Sequence, residues 1–241
     1  MSIDVSIVIT NYNHEDLISD AIQSAFAQNY PEDKFEVIVV DDGSSDRSVD
    51  IIKKTIAEKN QRGISCTLIE KENGGTASAR NAGVKNASGK YIGFLDGDDM
   101  YLQEKTEMSV KALEFGPNIG IAYSDYVTKW SETENSLTFK FPYAWESLVH
   151  ECIISTNSFV TKEAIESVGG FDESIRIIED YDLWLRICLK GYMARHIPQH
   201  LFIYNERPTN KTNTEKSKGM NLFNKESKYI KERVLSGEYY V

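Results

Sequence analysis

"VSIVITNYNHEDLISDAIQSAFAQNYPEDKFEVIVVDDGSSD", residues 5–46, sets two apolar runs on either side of an amphipathic stretch. The runs at 5–10 and 35–40 are β-branched and lack polar alternation, the pattern of strands covered on both faces. Between them Leu17, Ile18, Ala21, Ile22, Ala25 and Phe26 recur at helical spacing, with acids in the first turn and Pro31 just beyond the end. Working outward, "YIGFL" (91–95) and "IGIAY" (119–123) repeat the buried-strand pattern, and "ISCTLIE" (64–70) is a weaker instance. Helical patterns fall between them at 48–60, 76–87 and 102–115. This alternation predicts an α/β fold, with a mainly parallel central sheet and helices on both faces.

The second half is less regular. Residues 125–150 are aromatic and polar without a clean period, whereas "EDYDLWLRICLKG" predicts a helix from near Asp180 to Gly191. The polar stretch 205–219 reads as mobile, and Leu222, Phe223, Tyr229, Ile230 and Val234 suit a short amphipathic helix over 220–235. One domain is expected over 1–204, with a nucleotide-binding half to about residue 100, an acceptor half after it, and 205–241 as loop and helical tail.

Composition narrows the function. The chain has 241 residues, 41% hydrophobic and 27% charged, with a net charge of −10, which suits a soluble globular protein. A pI near 5.0 disfavours gripping nucleic acid or an anionic membrane as the main task. Three cysteines without CxxC spacing suggest neither a zinc site nor a disulfide framework. The apolar run at 5–9 is too short for a signal peptide or a membrane span, so a cytoplasmic protein is expected, with peripheral membrane association left open.

Ligand sites of open α/β sheets form beyond the carboxyl ends of the strands. The polar clusters fall there: Thr10-Asn11-Tyr12-Asn13, Asp41-Asp42-Gly43-Ser44 and Asp96-Gly97-Asp98-Asp99. Asp42 suits a hydrogen bond from a base edge with Tyr12 stacked on the ring, although "DDGSSD" also reads as a turn and helix cap. Gly74-Gly75 ahead of a helix offers amides to an anion, with Arg80 one turn inside. Carboxylates crowded at Asp96, Asp98 and Asp99 are costly without a cation, and hard oxygen ligands select Mg²⁺ or Mn²⁺. A calcium loop fails because Tyr101 stands where glycine is needed. Asp180 and Asp182 are each candidates for a general base, or for helix-end electrostatics.

The ordered set of 5–46, "GGTASARNAG", "YIGFLDGDD", "GGFDE" and "EDYDLWLR" resembles the family 2 glycosyltransferases of the GT-A fold, over about residues 3–190. The resemblance implies an inverting hexosyl- or N-acetylhexosaminyl-transferase. It would move a sugar from a nucleotide-diphosphate donor, a UDP-sugar by preference, to a glycan or lipid-linked acceptor in surface polysaccharide synthesis. On that resemblance Thr10, Tyr12, Asp42, Arg80 and Asp96 match donor-binding positions. Asp98 matches the ligand of Mn²⁺ or Mg²⁺, and Asp180 the catalytic base. The QxxRW motif of processive members is absent. The segment Tyr204-Asn205-Glu206-Arg207 lacks the histidine many relatives carry, leaving Glu206 or Arg207 for the diphosphate. An aspartyl-nucleophile phosphatase, or a non-catalytic nucleotide-sugar-binding module, would leave parts of this set without a role.

Overall fold

In the computed structural model, which describes residues 2–60, 64–208, 210, 213–214 and 220–237, β1 (Val5–Asn11) is buried along its whole length. It lies between β2 (Phe35–Asp41) and β4 (Tyr91–Asp96), both parallel to it, and β3 (Ser65–Glu70) flanks β2. Side chains on a strand alternate between faces. Val5, Ile7 and Ile9 accordingly join one apolar cluster with α1 (Ile18–Phe26), α2 (Ser48–Asn60) and α4 (Lys105–Leu113). Val8 joins the opposite cluster with α3 (Thr76–Asn86) and α7 (Glu179–Leu189). Burial on both faces explains why these strands carry no polar alternation.

The helix α3 crosses β1 closely. A Cβ at Gly83 would lie 2.2 Å from Val8 Cγ1, so only glycine fits at that crossing.

Beyond β4 the sheet becomes mixed. The three-residue β8 (Phe159–Thr161) lies antiparallel between β4 and β6 (Ile119–Lys129), and β9 (Met193–Asn205) runs parallel to β6. β5 (Met100–Tyr101) pairs with β9, and β7 (Asn135–Thr138) forms a hairpin with β6. The order is β3-β2-β1-β4-β8-β6-β9-β5, with β7 beside β6. The α/β class and the helices on both faces match expectation. The parallel pattern holds across β3-β2-β1-β4, and β8 interrupts it because the chain returns to the sheet in the opposite direction.

Helices α5 (Trp145–His150) and α6 (Lys162–Ser167) cover the irregular half. The last helix, α8 (Asn221–Ser236), buries Ile230 in the same cluster as α7, with Phe223 and Val234 packed against it. Tyr229 faces outward at 44% exposure, unlike the apolar set expected of this helix. Of the segment expected to be mobile, 209, 211–212 and 215–219 lie outside the described residues. Asn210 within it is buried, its amide donating to Tyr204 Oη and the Asn205 carbonyl.

Candidate active site

Strand register builds the site. Thr10 pairs with Asp96 across β1 and β4, and Asn11 with Asp41 across β1 and β2, so three strand ends finish at one level. The two acids after β2 divide their work. Asp41 holds the turn, accepting from Asn11 Nδ2 at 2.7 Å, Ser44 N at 2.9 Å and Ser44 Oγ at 2.7 Å. Asp42 turns toward the loop before α3, where its carboxylate accepts from Lys71 Nζ (2.7 Å), Gly74 N (3.0 Å) and Gly75 N (2.8 Å). Gly75 has φ +90°, a conformation L side chains rarely adopt, and this presents its amide to Asp42. A carboxylate has about four lone-pair sites, so a base edge meeting Asp42 takes the remaining one or displaces Lys71. Tyr12, directly after β1, has 47% of its surface exposed.

Arg80 is enclosed rather than presented to solvent, at 2% exposure. Its Nη2 donates to Asp96 Oδ1 at 2.7 Å and its Nη1 to Glu179 Oε1 at 2.8 Å. Burial opposes its charge, but Asp96 and Glu179 hold the guanidinium above its ordinary pKa. One cation thus joins the end of β4 to the start of α7, and Thr10 Oγ1 adds a long bond to Asp96 Oδ1 at 3.3 Å.

Asp180 follows Glu179 on the first turn of α7. Thr156 Oγ1 donates to its Oδ2 at 2.5 Å and the Tyr181 amide to its Oδ1 at 2.8 Å. Its carboxyl sits above the ordinary carboxylate pKa because burial penalises the charge and Glu179 repels it. Asp182 faces elsewhere, fully buried and paired with Arg186 at 2.7 Å.

The acidic cluster separates into three environments. Asp96 is bonded to Arg80. Asp99 is buried, accepting from Asn157 Nδ2 at 2.5 Å and the Asn205 amide at 2.9 Å, and burial together with the charges of Asp98 and Asp96 pushes its pKa well above normal. Asp98 meets Arg207, whose Nη2 donates to Oδ2 at 2.5 Å, while His14 Nε2 is 4.0 Å from the same oxygen. Among the described residues no three His, Cys, Asp or Glu side chains form a ready-made metal cage.

Several participants carry no motif. Asn157 links the cluster to the sheet, accepting from the Asp96 amide at 3.0 Å while donating to Asp99. Thr156 precedes it, and both lie on an irregular loop where sequence offers no period. His14 follows β1, so its approach to Asp98 depends on the loop before α1. Trp130 is 49% exposed, while Tyr143 and Trp145 lean on the core, so only the first is fully presented for contact.

The family described as "Glycosyl transferase family 2" matches residues 6–169. The chain is 34% identical over 196 residues to an uncharacterised glycosyltransferase of Rickettsia prowazekii, covering 76% of this chain and 58% of that protein. It thus spans little more than half the length of that relative. It is 34% identical over 200 residues to the Escherichia coli UDP-Glc:alpha-D-GlcNAc-diphosphoundecaprenol beta-1,3-glucosyltransferase WfaP, covering 80% of this chain and 73% of that protein. Residues 1–349 of S. aureus TarS, solved in complex with UDP, superpose with a TM-score of 0.70 at 19% identity, over 86% of this chain and 61% of that one.

Proposed function

This chain belongs to glycosyl transferase family 2, and from that premise we propose that it moves one sugar from a UDP-sugar to a hydroxyl of a lipid-linked or glycan acceptor, with inversion. The observation that carries this reading is the Asp96–Arg80–Glu179 bridge, which draws Asp180 to the strand ends where a donor would lie. In this reading Tyr12 stacks on the base and Asp42 accepts its N–H, with Thr10 and Asp96 alongside the ribose and diphosphate. Asp180 is the general base. As the acceptor oxygen bonds to the anomeric carbon, its proton passes to Asp180 and the bond to the diphosphate oxygen breaks, that oxygen keeping the electron pair. Thr156 and the Tyr181 amide orient the carboxylate for that transfer.

The residues at Asp98 fit a divalent cation shared with a diphosphate. Asp98 Oδ1 has no hydrogen-bond partner among the described residues, which leaves it open to a cation, while the Arg207 guanidinium at Oδ2 would compete for the same carboxylate. Mg²⁺ and Mn²⁺ commonly take one or two carboxylates plus phosphate and water rather than a full protein cage. A bound cation would offset the charge building on the leaving diphosphate. The UDP preference is supported by Asp42 as an acceptor for a base N–H, and by the UDP specified for WfaP and found in the TarS complex.

The test is UDP release and sugar transfer across a panel of UDP-sugars with Mn²⁺, and again with EDTA. Asp180→Asn keeps the shape but removes the basicity, so donor binding should survive while transfer falls about 10²–10⁴-fold. A product that keeps the donor's anomeric configuration would exclude single displacement.

A further inference from the structure

Glu226 belongs to α8, outside every motif of the site, and is only 7% exposed. Its carboxylate accepts from three successive backbone amides: Arg176 (2.7 Å), Ile177 (2.9 Å) and Ile178 (3.3 Å). Those residues lead directly into α7, with Ile178 at the N-cap and Asp180 in the first turn. Helix starts leave N–H groups without backbone partners. The amides Glu226 holds are those of the N-cap, Ile178, and of the two residues before it, where neither Ile177 nor Ile178 has a side chain that can accept. Glu226 supplies the acceptor from far along the chain.

The location of this carboxylate is informative. Three acids already crowd the first turn of α7, Glu179, Asp180 and Asp182, so another buried negative charge nearby is repelled. Charge-assisted bonds to amides, helped by the helix dipole, offset that repulsion. Both ends of the brace are fixed. Ile230 is fully buried beside α7, and Arg233 lies 3.5 Å from Asp172 in the loop ahead of α7. Arg176 extends from the clamped loop to the Gly74 carbonyl at 3.2 Å, next to the amides that hold Asp42.

We infer that Glu226 is a positioning residue for Asp180, setting the entry of α7 and thereby the reach of the base. The inference rests on Asp180 being that base. Misplacement of a reacting group by about 1 Å costs roughly a hundredfold in rate, and a loop with three amides released is free to shift by that much.

The experiment follows UDP release from UDP-glucose with Mn²⁺ and water as acceptor, on the full chain well below its thermal midpoint. Glu226→Ala should lower kcat by about tenfold to a hundredfold while the donor KM stays within about threefold. The acidic limb of its pH profile should move down, toward an ordinary carboxylate, as Asp180 loses its packed surroundings. Glu226→Gln keeps one acceptor oxygen at the same reach but turns its NH2 toward the remaining amides, so it should recover only part of the lost kcat, falling between the alanine variant and wild type. If the alanine variant does not fold, Glu226→Asp keeps the charge but shortens the reach, and should show the same loss. A kcat per folded molecule equal to wild type in the alanine or aspartate variant would overturn the inference, as would an unmoved acidic limb. Failure of the base assignment reads out separately, as an Asp180→Asn enzyme that turns over at the wild-type rate.

Discussion

Lys105 opens α4 with no exposed surface. Its Nζ donates to Ser124 Oγ at 2.9 Å and lies over the rings of Tyr101 (5.8 Å) and Phe202 (5.2 Å). Burial pushes its pKa down to about 7, whereas an unfolded lysine holds its proton to about 10.4. Between those values the unfolded chain binds more protons, so this residue makes stability rise with pH across that window. Below about 7 both states are charged and the cost of burying the ammonium is present in full. Lys105→Met should therefore raise the thermal midpoint at pH 6 and flatten the climb toward pH 10, read by calorimetry at several pH values. At Asp98 the expectation concerns competition. Arg207→Gln removes the cation at Oδ2, so Mn²⁺ binding without nucleotide should tighten by about tenfold, followed by the electron paramagnetic resonance signal of free Mn²⁺. Asp98→Ala should remove it in either background.

At the scale of elements, the crossing of α3 over β1 is a sensitive joint. Gly83→Ala inserts a methyl against Val8 and should cost about 1–3 kcal/mol in denaturant unfolding. Val8→Ala in the same chain should recover part of that loss, a coupling a double-mutant cycle can measure. The elements differ in how plainly the sequence announced them. Strands β1, β2 and β4 and helices α1 to α4 were legible because apolar periodicity and buried runs dictate them. β8 was not, since three residues carry no period, and β9 was obscured by register shifts against β6 that break its alternation. The acids of the site stood out because they end buried strands. Asn157, Thr156 and Glu226 gave no signal, because their roles exist only once distant segments meet. Arg80 was legible as a candidate one turn inside the helix after Gly74-Gly75, but its enclosure between two carboxylates required the packing of α7 on α3.

For the whole molecule, ligand linkage gives the broadest measurement. UDP with Mn²⁺ at about a hundred times its dissociation constant should stabilise the fold by about 2.7 kcal/mol. The increment should shrink with EDTA and vanish in Asp98→Ala if the cation reads through that residue. No helix among the described residues is long and apolar enough to cross a membrane.

The position of β8 between the two halves of the sheet has a consequence during synthesis. By residue 96 the ribosome has delivered β1 to β4, but β4 lacks its neighbour until 159–161 arrives. At about 5–20 residues per second this wait lasts roughly 3 to 13 s. Throughout it, β4, already paired with β1 on one side, displays one open edge along Ile92, Phe94 and Leu95, a template for pairing with another chain. In the folded protein that edge is closed, because a three-residue strand seals it.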